Sequence, residues 1–140
     1  MTGNLDDTYV AALQHDRFEG EGTLVGVVRR PNRLLNAAVA ENYPALGPPD
    51  DLLDEFHDRR EDFKMQGLCE EGAHNAAWDA LDFEARYRDH LESGAAADAL
   101  SDLGARLDGG EDLVLVCYEN TDRKRCHRTV LGDALENQND

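Results

Sequence analysis

Lysine is almost missing from this chain. Of its 14 cationic residues 12 are arginine and 2 are lysine, set against 30 aspartates and glutamates, for a formal net charge of −16. The acidic excess runs along the whole sequence and does not gather in a tail. Hydrated carboxylates with scarce lysine suit a protein dissolved in near-saturated salt, where self-repulsion is screened within about 3 Å. The composition therefore predicts the cytoplasm of an extreme halophile. A net basic face is lacking too, which argues against generic nucleic-acid binding, since phosphate recognition needs one. A local cationic pocket stays open, and Arg123, Lys124, Arg125 and Arg128 form a cluster conspicuous on so acidic a background.

Long apolar runs are also lacking. None approaches the roughly 18 residues that a membrane span needs, and the opening MTGNLDDTYV has neither the charged nor the apolar region of a signal peptide. Three cysteines are too few, and odd in number, for a disulfide framework. There is no internal repeat and no low-complexity segment. The expectation is a soluble cytoplasmic protein, one domain over 1–140 with its core at about 8–135.

What is present reads as strands alternating with helices. Tyr9 to Leu13 (YVAAL) is apolar and β-compatible, a first strand. Thr23 to Val28 (TLVGVV) is a more convincing buried one, with Arg29 and Arg30 emerging at its carboxyl end, where Pro31 keeps Arg30 out of helical geometry. A short helix fits Leu34 to Val39, and the proline-rich Tyr43 to Asp50 is a loop. Asp50 or Asp51 can cap a helix through about Phe63, with Leu52, Leu53, Phe56 and Phe63 at helical spacing. Gln66 to His74 reads as an exposed, irregular stretch between Gly67 and Gly72. A short helix carries Ala77 and Trp78. Another starts at Asp82 with Phe83, Tyr87 and Leu91 on one stripe, and these aromatics belong to the core. Leu100, Leu103 and Leu107 mark a further helix that Gly109 and Gly110 end. Continuous apolar strands between helices indicate a small α/β domain with a mostly parallel sheet of about three or more strands, flanked by helices. The nine-residue link between the first two strands leaves a hairpin or a minimal crossover open. His15, His57 and His90, on polar stretches, are expected in solvent.

The chemistry concentrates between Leu113 and Leu131, LVLVCYENTDRKRCHRTVL. A strand delivers Cys117 and Glu119 to its carboxyl end, the ligand side of α/β sheets. A helix follows, with Cys126, His127 and Arg128 at its start. Cys117 and Arg123 have the Cys-x5-Arg spacing of phosphatase and rhodanese loops. The intervening residues contain no glycine and place Glu119 and Asp122 where an anion would approach, so that chemistry is disfavoured. A zinc set of Cys117, Cys126 and His127, completed by Cys69 or His74, lacks a CxxC pair and a standard spacing, and no metal ligand is assigned. As candidate catalytic groups we take Glu119, His127, Cys117 and Cys126, with Glu119 orienting His127 as a base. As ligand-binding groups we take Arg30, Arg123 and Arg128, the last as a surface or phosphate-contacting cation.

Cys117-x-Glu119 at a strand end, followed by Cys126-His127-Arg128 opening a helix, resembles the family of domain of unknown function 488. Val28-Arg29-Arg30-Pro31 is similar to the family's upstream strand end, although valine stands where an acidic residue is common. Trp78, Phe83 and Tyr87 resemble its aromatic helical segment. The resemblance runs over about Thr8 to Leu135 and implies a small Rossmann-like domain; it brings no established activity. From the residues, the best reading is a domain that binds a small anionic ligand, phosphorylated or nucleotide-like, at the strand ends. The alternatives are a thiol- or metal-dependent catalyst using Cys117, Cys126 and His127, and a non-enzymatic interaction module in which the motif is structural.

Overall fold

The computed structural model describes residues 3–119, 121 and 123–138. Strand β1 (Leu5–Tyr9) leads directly into the short helix α1 (Val10–Gln14), and β2 (Thr23–Gly26) is followed by α2 (Arg33–Ala38) and a two-residue strand, β3 (Glu41–Asn42). Four helices come next: α3 (Asp50–Met65), α4 (Glu70–Ala80), α5 (Phe83–His90) and α6 (Gly94–Asp108). Strand β4 (Leu113–Cys117) and helix α7 (His127–Gln138) complete the order. All sheet pairings are parallel, in the order β1-β4-β2-β3. The predicted parallel α/β class is therefore the class of the structure.

Every residue of β4 is buried, as its unbroken apolar text requires of a strand covered on both faces. It lies between β1 and β2, with Leu113 opposite both Leu5 and Thr23. Because the strands are parallel, Tyr9, Gly26 and Cys117 finish at the same end of the sheet. Helix α7 packs against β1, β4, α5 and α6, whereas α3 packs on α4. Tyr87, fully buried on α5, donates its hydroxyl to the carbonyl of Leu46.

Four expectations change. YVAAL is not the first strand: the strand is LDDTY, and Val10 and Ala12 are buried from α1. The hairpin alternative is excluded, because β4 separates the first two strands and pairs in parallel with each. The stretch ending at His74 is largely helical, since α4 begins at Glu70, with Cys69 Sγ accepting the N–H of Gly72 as an N-terminal cap. At the helix starts, Pro49 and not an aspartate precedes α3, leaving Asp50 and Asp51 in its first turn, where they complement the helix dipole. Among the described residues no helix is long and apolar enough to cross a membrane.

Candidate functional site

The carboxyl ends of β2 and β4 open into a cleft of about 240 Å³. The β2 exit contributes Val28, Arg29 and Arg30; the β4 exit contributes Cys117, Tyr118 and Glu119. Arg125, Cys126 and His127 line it just before and at the start of α7. Opposite them, α3 supplies Phe56, His57 and Arg60, α4 supplies His74 and Trp78, and α5 supplies Phe83. Trp78 and Phe83 stack with centroids 4.3 Å apart, and Phe56 meets Phe83 edge-on at 5.5 Å. The cleft thus has an aromatic wall and a ring of arginines. The aromatics do belong to the core, as expected, and present an edge of it to the cleft.

Local contacts explain how distant segments meet here. Asn75 on α4 donates its amide to the carbonyl of Arg123 and accepts the N–H of Arg125, both at 3.0 Å. His74 adds a third clasp, Nε2 to the Arg125 carbonyl at 2.7 Å. The chain before α7 is therefore held by α4. On the other side Arg29 Nε donates to the carbonyl of Pro48. Gly47 makes that approach possible, since a Cβ there would lie 2.2 Å from the Arg29 nitrogen.

The four catalytic candidates all line this cleft, but not in the expected partnership. Glu119 does not orient His127; its carboxylate lies 3.7 Å from Lys124 Nζ. His127 is held by the carbonyl of Val27, 2.6 Å from Nε2. A carbonyl can only accept, so Nε2 carries the proton and Nδ1 is left as an acceptor, 3.6 Å from Cys126 Sγ. Burial keeps the imidazole below its ordinary pKa and therefore neutral. Cys126 Sγ also lies 2.8 Å from Cys117 Sγ. Burial opposes a thiolate at Cys126, yet its hydrogen bond with Cys117 and the nearby Arg128 charge outweigh that and lower its pKa. Cys117 is pushed well up, by burial and then by the bond to Cys126.

Of the three ligand-binding candidates, Arg30 reaches the cleft, paired there with Asp50 and Asp54. Arg123 is exposed and does not line it. Arg128 corrects the expectation most clearly, because it is 1% exposed and no surface cation. Its guanidinium donates to the carbonyls of Thr8 and Glu119, to Cys117 Sγ and to Thr121 Oγ1, tying β1, β4 and the chain beyond β4 together.

Sequence reasoning missed Arg60 and His57 as lining residues, and weighed His74 only as a zinc ligand. His57 is exposed, as expected, and also lines the cleft, whereas His90 is half-buried and donates to the carbonyl of Ala45. Arg60 lies over the Phe56 ring and reaches His57 Nδ1 at 2.9 Å. Its buried Nε has no hydrogen-bond partner among the described residues, Glu61 being 3.8 Å away. The same is true of His74 Nδ1. Burial lowers the His74 pKa, so with Nε2–H given to Arg125 its Nδ1 is an acceptor. Two residues of the lining thus each carry one buried polar atom, a donor on Arg60 and an acceptor on His74, without a hydrogen-bond partner among the described residues. Among the described residues no group of three or more His, Cys, Asp or Glu side chains could hold a metal ion. Cys69, exposed and engaged in capping α4, is not part of the lining.

Residues 8–139 match the family model DUF488-N3a, described as the active DUF488-N3 subclade. No curated protein and no solved structure matches the chain.

Proposed function

The chain belongs to the DUF488-N3a family, and from that premise we propose that it binds a small anionic ligand, phosphorylated or nucleotide-like, in the cleft at the strand ends. The observation that carries this reading is the pair of orphaned groups, Arg60 Nε–H and His74 Nδ1, both buried and both belonging to side chains that line one cavity. Leaving a buried polar group unpaired costs about 1–3 kcal/mol. A ligand presenting an anionic acceptor to Arg60 and a hydroxyl or N–H to His74 recovers that cost. Arg29 reinforces the positive potential, while Arg30 shares its charge with Asp50 and Asp54, and the Trp78–Phe83 wall offers a face for an apolar ring or sugar.

Volume limits the choice. The cleft lies just below the roughly 300–1,000 Å³ usual for ligand pockets, which favours a phosphosugar or a single nucleotide-like moiety over a dinucleotide. The open cleft also counts against a purely structural motif, although Arg128 and His127 do fasten α7 to the sheet. The acidic composition supports a saline cytoplasmic setting, where contacts to desolvated groups are screened less than those at the surface.

The test is thermal shift in concentrated salt with nucleotides and phosphosugars, on the wild type and on Arg60→Met. At a concentration 100 times its Kd a ligand stabilises by about 2.7 kcal/mol, a shift of several degrees that Arg60→Met should abolish. No shift at millimolar concentration across both ligand classes would reject the reading.

A further inference from the structure

Beyond ligand binding, we propose that Cys117 and Cys126 form a reactive dithiol at the cleft floor that reduces a small hydroperoxide and closes to a disulfide. Three observations support this. The two sulfurs lie 2.8 Å apart, so closure to the roughly 2.05 Å of a disulfide needs an approach of under about 1 Å. Both cysteines line the cleft while being 1% and 5% exposed, so a reagent reaches them through a space of about 240 Å³. Each sulfur also has a polar neighbour: Arg128 Nη1 is 3.2 Å from Cys117 Sγ, and His127 Nδ1 is 3.6 Å from Cys126 Sγ. The carbonyl of Val27 fixes the histidine tautomer that leaves Nδ1 free to accept a proton. This is the order of nucleophile, base and orienting group that activates a thiol.

The chemistry balances as follows. Cys126 gives its proton to His127 Nδ1, and its sulfur attacks one peroxide oxygen. The O–O bond breaks, and the departing hydroxide takes the proton from His127 and leaves as water. Cys126 is then a sulfenic acid. Cys117 attacks that sulfur, the S–O bond breaks, and the released hydroxide combines with the Cys117 proton as a second water. Two thiols have supplied two electrons to one hydroperoxide. The lowered pKa of Cys126 and the raised pKa of Cys117 agree with Cys126 attacking first.

The size of the cleft makes the reaction selective. Hydrogen peroxide enters, whereas a bulky disulfide such as oxidised glutathione does not. This sets the site apart from Cys69, whose thiol is exposed.

The experiment uses full-length Cys69→Ser protein treated with stoichiometric hydrogen peroxide, then alkylated in denaturant and analysed by intact-mass and peptide mass spectrometry. The expected product is two hydrogens lighter, resists alkylation, contains the linked Cys117 and Cys126 peptides, and reverts with dithiothreitol. Closure in the native protein should be at least ~10-fold faster than in the urea-unfolded chain, because the fold holds the thiols together. Oxidised glutathione should leave the native protein unmodified. In Cys117→Ser, Cys126 should accumulate as a sulfenic acid that a 1,3-dione traps. Thiols that stay alkylatable, or that oxidise separately to sulfinic acids, would overturn the proposal. Equal closure rates in native and unfolded protein would do the same. No ligand enters this test, so its outcome is independent of the anion-binding reading.

Discussion

Replacing Arg128 by methionine separates a structural staple from a ligand contact. The side chain is 1% exposed and makes four hydrogen bonds, two of them to the backbone carbonyls of Thr8 and Glu119. Methionine fills similar space but donates nothing. Each carbonyl left buried without a donor costs about 1–3 kcal/mol. Against this stands relief from burying a guanidinium that has a half-exposed carboxylate, Asp7, 3.7 Å away. The expected net loss is about 2–4 kcal/mol. At this chain length a melting temperature falls roughly 3–4 °C per kcal/mol, so the drop should be on the order of 6–16 °C. Urea titration in constant concentrated salt is the right assay, because a neutral denaturant leaves ionic strength unchanged. Arg128→Lys keeps the charge without the planar fork and should recover part of the loss. A stability change within about 0.5 kcal/mol at unchanged m-value would refute the staple argument.

Protonation of His127 gives a second expectation. Burial lowers its pKa in the folded protein, so the unfolded chain binds the proton first, near pH ~6.5. The stabilisation is therefore complete above about pH 6.5 and is lost as pH falls, at up to about 1.4 kcal/mol per pH unit from this group. His127→Gln should flatten the urea-midpoint slope between pH 7 and 5, and parallel slopes would contradict the assignment. Ionic strength gives a third: with a net charge of −16, raising potassium chloride from 0.2 to 3 M should raise the urea midpoint by screening self-repulsion, and a flat response would remove the halophilic reading. A fourth concerns Gly26, where a Cβ would meet Asn42 Oδ1 at 2.5 Å. Asn42 uses that amide to accept from Val28 N–H and donate to its carbonyl, so Gly26→Ala should cost about 1–3 kcal/mol and speed Val28 amide exchange; unchanged exchange would count against it.

The sequence disclosed those elements whose burial is nearly complete. β4 has five buried residues in a row and reads as a strand without ambiguity. β1 does not, because Asp6 and Asp7 are exposed on an edge strand, and the apolar signal moves to the adjoining turn of helix. Five residues of α1 are too few for a 3.6-residue period to separate from alternation. The start of α4 was hidden by Gly67 and Gly72 and by a cysteine in the capping position. Yet Ala73, His74, Ala77 and Trp78, all buried, carry the helical spacing. Local text was enough to place Cys117, Glu119, Cys126 and His127 together beside the strand ends, the side of α/β sheets where ligands sit, and all four line the cleft. Arg60 and His74 come from α3 and α4, and their arrival depends on packing that no local pattern encodes. Arg128 was misread because its partners are backbone carbonyls, Thr8 among them, 120 residues away.

The position of β4 in the middle of the sheet also governs when this protein can fold. Leu5 waits for Leu113, and Thr23 waits for the same residue, so neither of the first two strands has its central neighbour until most of the chain has been made. Closing loops of that length is slow compared with local helix formation. During synthesis the helices between β3 and β4 can form early, while β1 and β2 await their shared partner. The cleft lies beside that last junction, so its two walls come together in the final step of assembly, and a nascent chain has no complete cleft until then.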